Sequence, residues 1–250
     1  MSFPYQHYHY AKVDSTQQVA FANADKQVLD QWYLYTADFQ TRGQGRNQGS
    51  SWLAASGSGI LATYCKVYSE GFFDAKAVIT LKVALAAARS IDFLGLPAKI
   101  KWPNDIMLQG KKVAGILADV NYIDRKACLM IGIGINVNLN KEDCSSINQN
   151  TTSLSIAKGL ELDIASILQL LNIELEKLLD EAPISLSEIN SFLEDYNNDH
   201  VIFSPCGVFG HADNITAIIS GVDIDGALIL NSNGKISKHM HGKLFKQPLC

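Results

Sequence analysis

Apolar and polar positions along this chain follow two rhythms, and the switches between them lay out the elements. Residues 8–13 (YHYAKV) alternate as a strand and stop at Asp14-Ser15-Thr16, capping chemistry that predicts a helix over about 16–27. Further strands are expected over 31–39 and 59–67, followed by a long Ala-rich helix over 74–94. Strands at 98–102, 111–121 and 126–138 come next, the first two separated by PNDIMLQG, whose Gly110 suggests a hairpin turn. After a polar segment, 162–180 carries Ile164, Ile167, Leu168, Leu171 and Leu175 on one helical stripe. From about 197 the texture changes to short β-like pieces (VIFSP, GVFGHA, ITAIISGVD, GALILN, GKISKHM) separated by Gly, Asn and Asp, the spacing of a small antiparallel barrel. The pattern predicts a mixed α/β (α+β) domain over 1–195 and a small β domain over 196–250.

The interval 40–58 obeys neither rhythm. QTRGQGRNQGSSWLAASG sets Arg42 and Arg46 among Gly43, Gly45 and Gly49, and loops of this length tend to be functional or mobile. Glycines let backbone amides close around an anion, and arginine supplies charge with forked donors. The spacing matches neither a P-loop nor G-x-G-x-x-G. Such a loop is expected to be mobile when empty and to close over a bound ligand as a lid.

Two more constellations stand out. In KWPNDI (101–106), a proline turn holds Asn104 and Asp105 at a strand end, with Lys101 before them and Lys112 after. A carboxylate among lysines stays ionised, which suits Mg²⁺ or a polyphosphate, although an exposed turn with solvated charges reads the same. Gly115, inside the strand KKVAGIL, marks a close backbone approach. In IGIGINVN (131–138), Gly132 and Gly134 interrupt an apolar strand, and Asn136 needs hydrogen-bond partners there.

Composition narrows the class. The 250 residues carry 21 Lys+Arg against 25 Asp+Glu, a formal charge of −4, which disfavours nucleic-acid binding through global charge. No apolar run is long enough to span a membrane, and no signal peptide opens the chain. Cys65, Cys128, Cys144, Cys206 and Cys250 are scattered and odd in number, so they predict reduced thiols and a cytoplasmic protein. The pairs His7/His9 and His239/His241 lack the partners of a zinc site, and Asp223-Ile-Asp225-Gly226 reads as a hairpin turn rather than a Ca²⁺ loop. No serine-nucleophile elbow is present.

Taken in order, DSTQ (14–17), QTRGQGR (40–46), KWPNDI (101–106), KKVAGIL (111–117) and GIGIN (132–136) resemble the biotin protein ligases, and the resemblance covers essentially the whole chain. It implies a catalytic domain related to class II aminoacyl-tRNA synthetases with an SH3-like tail. It also implies activation of biotin by ATP and Mg²⁺ to biotinyl-5′-AMP, then transfer to a lysine of a biotin carboxyl carrier protein. Carried over by motif, Ser15, Thr16, Gln17 and Gln40 would hold the biotin head, with Gln44, Gly45 and Gly115 around it. Arg46 and Lys112 would meet the carboxylate and α-phosphate. Lys101, Asn104, Asp105, Asn136 and Trp52 would serve ATP, and Asp105 its Mg²⁺. Lys101, Lys112 and Arg46 form the expected catalytic set. Gln44 stands where the family's loop usually has Arg, which predicts a lid with less positive charge. The first strand starts so early that a monofunctional ligase without DNA binding is expected, as a monomer or weak homodimer. A lipoate ligase and a non-catalytic biotin-binding regulator are the alternatives.

Overall fold

The computed structural model describes residues 5–46, 49–69, 76–147, 150–179, 185–194, 200–205, 207 and 213–246. Seven strands form one mixed sheet, β1 (Tyr5–Val13), β2 (Trp32–Gln40), β3 (Gly59–Tyr68), β4 (Ala98–Lys101), β5 (Asp105–Leu108), β6 (Lys111–Ile123) and β7 (Lys126–Asn136), in the order β1-β2-β3-β7-β6-β5-β4. Only β1 and β2 run parallel; every other neighbouring pair is antiparallel.

Strand periodicity divides the side chains between two layers. On one face, Trp32, Leu34, Ala62, Tyr64, Ile116, Ile131 and Ile133 join the main core. There α2 (Lys76–Asp92) packs with α5 (Ile164–Leu179), and Ile167, Leu171 and Leu175 of the predicted stripe are buried. On the other face, Tyr33, Tyr35, Cys65, Val67, Cys128 and Met130 pack under Ala20 and Ala24, from α1 (Thr16–Ala22) and the 3₁₀ turn after it. The helix expected over 16–27 is thus broken at Asn23, where the chain tightens into that turn.

The second sheet holds β8 (Val201–Ser204), β9 (Ile215–Val222), β10 (Leu228–Ser232), β11 (Lys235–His239) and β12 (Lys243–Lys246), antiparallel in the order β11-β10-β9-β8-β12. This arrangement is consistent with an SH3-like domain. Most of GVFGHA, and residues 195–199 at the expected boundary, lie outside the described residues. The β9–β10 connection is the expected turn: Asp223 Oδ1 accepts from the backbone N–H groups of Asp225 and Ala227. The sheets share one core, as Phe203, Val222 and Leu244 join the same cluster as α2 and β6. Trp102 Nε1–H donates to Gly226 O at 3.1 Å, which ties the second sheet to the turn between β4 and β5, and Val222 N–H donates to Asn190 Oδ1 of the helix over Leu186–Phe192 at 3.0 Å.

Candidate active site

The face of the main sheet that carries α1 is only half covered. Beyond the helix N-terminus its side chains shrink to Thr63 on β3, Gly132 and Gly134 on β7 and Gly115 on β6. Register places Thr63 opposite Gly132 and Gly115 opposite Gly134. These small residues leave a cavity of about 60 Å³. Ser15, Thr16, Gln17, Gln40, Gln44, Gly45, Arg46, Trp52, Thr63, Asn104, Lys112 and Gly115 all line it. Every residue expected around biotin therefore stands on one cavity.

One end is a polar network. Gln40 Oε1 accepts from Thr16 N–H at 2.7 Å and from Thr16 Oγ1 at 3.0 Å, and Thr16 Oγ1 meets Thr63 Oγ1 at 2.8 Å. Gln40 thus caps α1, while Ser15 makes no side-chain cap bond. Gln17 lies along Gly132, where a Cβ would stand 3.0 Å from its Nε2, and donates to Leu117 O at 2.8 Å. A bulkier residue at 132 would displace it.

The other end is cationic. Lys112 Nζ pairs with Asp105 Oδ1 at 2.6 Å and lies 5.5 Å from the centroid of the Trp52 ring. The backbone of Lys112 is pinned on both sides by the following loop: its N–H donates to Asn150 O and its carbonyl accepts from Thr152 N–H, both at 2.9 Å. Asn136 Nδ2 holds the same loop through Thr152 O at 3.1 Å. Asn136, expected at the nucleotide, thus anchors the segment that fixes Lys112. Its Oδ1, Thr151 Oγ1 and Trp52 Nε1 are buried without hydrogen-bond partners around a smaller hollow. Arg46 is exposed on its outer side. The wall on its inner side desolvates the guanidinium and lowers its pKa, with Asp105 acting in the opposite direction, and the group stays charged near neutral pH.

The loop around Arg46, which shows no periodicity in the sequence, pairs with itself. Gly45 N–H donates to Ser50 O and Trp52 N–H to Gly43 O, both at 2.9 Å, and Gln44 bridges Ser51, so 43–45 and 50–52 pair as two antiparallel arms of a hairpin; residues 47–48 lie outside the described set. This hairpin lays the Trp52 ring on Gly115 and Gly134, where added Cβ atoms would fall 3.0 Å from Cζ3 and 2.7 Å from Cδ2.

A wider groove of about 1020 Å³ adjoins the cavity through Gly45, Arg46, Trp52, Asn104 and Lys112. Lys101, Asp105 and Glu194 line it from one side, and His241, Lys243 and Lys246 from the second sheet. Asn104 holds the turn between them, donating from Nδ2 to Ile116 O and accepting from Ile116 N–H, each at 2.9 Å. Thr63, Thr151 and the groove lysines of β12 went unnoticed in the sequence.

A family model described as the Biotin/lipoate A/B protein ligase family matches residues 10–136. The chain belongs to this family. It is similar to the bifunctional ligase/repressor BirA of Bacillus subtilis, 31% identical over 247 residues, which cover 93% of this chain and 72% of that protein. The Bacillus spizizenii protein of the same name is 35% identical over 160 residues, and there the chain spans only 48% of its relative's length. The fold also matches a biotin protein ligase from Aquifex aeolicus in complex with biotin and ATP, with a TM-score of 0.74, 23% identity and coverage of 96% and 97% of the two chains.

Among the described residues, no three His, Cys, Asp or Glu side chains gather into a metal site. Asp105 brings a single carboxylate, and one of its oxygens is on Lys112. The described residues do not fit a resident metal centre.

Proposed function

We propose that this protein activates biotin with ATP and transfers the acyl group to a lysine of a biotin carboxyl carrier domain. The observation that carries this reading is the polarity of one cavity. Thr16, Gln17 and Gln40 offer hydrogen bonds at its closed end, while Arg46 and Lys112 offer cations at the other. A ureido head with a carboxylate tail matches both ends. The apolar dithiolane of lipoate would give the Ser15 hydroxyl, Gln17 Oε1 and Gln40 Nε2, which the Thr16 network does not use, nothing to bond, at a cost of about 1–3 kcal/mol for each that it buries.

In the first step a biotin carboxylate oxygen attacks the α-phosphorus and pyrophosphate leaves. Two anions must meet, and Arg46 and Lys112 on the cavity wall offset their repulsion, with Lys101 in the adjoining groove facing the outer phosphates. Asn136, Thr151 and Trp52 offer unpaired hydrogen-bonding atoms beside Lys112, where the nucleotide base can use them. In the second step the neutral lysine amine attacks the acyl carbon, AMP departs, and the amine's extra proton passes to water in the groove. No enzyme nucleophile is required.

Biotin-dependent exchange of labelled pyrophosphate into ATP tests the first step, and incorporation into a carrier domain tests the second. Exchange that depends on lipoate makes the protein a lipoate ligase. Biotin binding with no exchange makes it a regulator, a reading that the substitution of Gln44 in the lid favours.

A further inference from the structure

Lys112 and Asp105 come from neighbouring strands, and the residues around them fix where the ammonium rests. Asp105 faces Gly115 across the β5–β6 ladder, and an irregularity between Ile106 and Met107 sets Lys112 opposite Met107. A Cβ on Gly115 would stand 3.3 Å from both Cε and Nζ of Lys112. The lysine therefore runs along the bare glycine backbone to reach the carboxylate opposite it. Its own backbone is clamped by residues 150–152, and the Trp52 ring covers it from the hairpin. The pair is partly buried, with side chains 19% and 27% exposed, and Lys112 belongs to the walls of both the cavity and the groove.

We propose that Asp105 is a positioning residue that acts through Lys112 as its counter-ion, rather than a ligand for the nucleotide's Mg²⁺. This inference rests on the biotin reading above and extends it. Among the described residues that line the cavity and the groove, Asp105 and Glu194 are the carboxylates, and only Asp105 touches a cation on the cavity wall. An oxygen held at 2.6 Å by an ammonium is a poor donor to a divalent cation. It is well placed to hold a flexible four-carbon side chain in one geometry before the anion arrives. The arrangement has a consequence that a metal ligand would not have. In the absence of nucleotide and metal, the incoming biotin carboxylate meets a lysine already half neutralised, beside a second negative charge. Asp105 thus lowers resting affinity for the anion while it fixes the placement of the ammonium.

The test is calorimetric titration in a chelator, without nucleotide, of biotin and its uncharged methyl ester into the wild-type protein and Asp105→Asn. Asparagine keeps the shape and an acceptor oxygen but removes the charge. The variant is expected to bind biotin about twofold to fivefold more tightly, the scale of one partly screened charge–charge interaction. Affinity for the ester should be unchanged, and in ATP–pyrophosphate exchange the half-saturating Mg²⁺ concentration should match the wild type. Unaltered metal-free biotin affinity, with a several-fold shift in the Mg²⁺ midpoint, would make Asp105 a metal ligand and overturn the proposal. Weaker binding of biotin, alone or together with the ester, overturns it as well, because a counter-ion that competes with the carboxylate cannot produce that result. A wild-type protein that binds no biotin removes the biotin reading itself, and the counter-ion role with it.

Discussion

Replacing Gly134 with alanine should evict the Trp52 ring from the sheet surface and uncover the cavity wall beneath it. The added Cβ would lie 2.7 Å from both Cδ2 and Cζ2 of the indole, with Cε2 nearer still. Carbon atoms in comfortable contact sit about 3.5–4.0 Å apart, so the ring must retreat by roughly 1 Å or more. It cannot slide as a unit, because Trp52 N–H is tied to Gly43 O at 2.9 Å within the hairpin. The ring must instead turn about its side-chain torsions and leave its place over Gly115 and beside Lys112. Folding should suffer little, since a partly exposed ring can move outward. The loss should stay below the roughly 1–3 kcal/mol of overpacking in a closed core. Ligand binding should suffer more, because displacing a positioned group by about 1 Å can cost on the order of a hundredfold. The assay is biotin affinity and ATP–pyrophosphate exchange, with thermal melting as the control. Tryptophan emission, referenced to Trp52→Phe to remove the other two indoles, reports the ring's environment. An unchanged emission spectrum with near-normal exchange would refute the claim that the glycine pair exists to seat this ring.

Thr16→Val should leave Thr63 Oγ1, which is fully buried, without its partner at 2.8 Å and remove the weaker of the two bonds that Gln40 Oε1 accepts. We expect about 1–3 kcal/mol lower stability in chemical denaturation and a weaker Kd for biotin, and unaltered biotin affinity would argue against the head-group role. Arg89→Met removes the cation that ties Glu174 of α5 and Glu188 of α6 (Leu186–Phe192) to α2. Because these side chains are only partly buried, about 1–3 kcal/mol is expected, visible in melting but not in biotin affinity. Asp223 has its carboxyl held below the usual range by the hydrogen bond from Lys238 and by backbone N–H groups. A group whose folded pKa is depressed contributes stability above its unfolded pKa, near 4, and loses that contribution as pH falls toward the folded value. Asp223→Asn should therefore narrow the difference in Tm between pH 5 and pH 2, and an unchanged slope would refute the assignment.

Most of the main sheet was legible because its strands carry long apolar runs, and the amphipathic helix because its stripe faces a real core. The strand β5 was hidden: its four residues sit inside PNDIMLQG, which reads as one hairpin loop, and only pairing with both β4 and β6 shows it as a strand. Short helices escaped for another reason. Helix α3 (Lys141–Ser146) rests on a capping box between Asn140 and Asp143, and α4 (Leu154–Lys158) on Ser153, local signals within a segment too polar for periodicity to register. Thr63 looks like any β-branched strand residue until the register sets it opposite Gly132. The site motifs were conspicuous, yet motif chemistry does not say which partner a charged group has at rest. That partner depends on the bulge in β5–β6 and on the 150–152 segment, neither of which leaves a compositional mark.

The glycines of the loop and the glycines of the strands serve a single arrangement. Gly43 and Gly45 let the hairpin close on its own backbone, and a Cβ on them would fall 2.5 Å from Trp52 O and from Ser50 Oγ respectively. Gly115 and Gly134 supply the flat floor that receives the ring the hairpin carries. Each set alone could be read as a flexible connector or a weak strand, which is why neither was decisive alone. Together they place one indole, one lysine and one arginine on the wall shared by cavity and groove. The same wall then has to serve both halves of the proposed reaction. The acid must be activated behind the ring, and the acceptor amine must reach it from the groove side. Closure of the hairpin and access for the carrier lysine are therefore opposed. Gln44→Arg tests the balance: if closure limits the amine, labelled biotinyl-AMP should leave the variant more slowly while transfer to the carrier also slows, and equal release from both proteins would refute the trade-off.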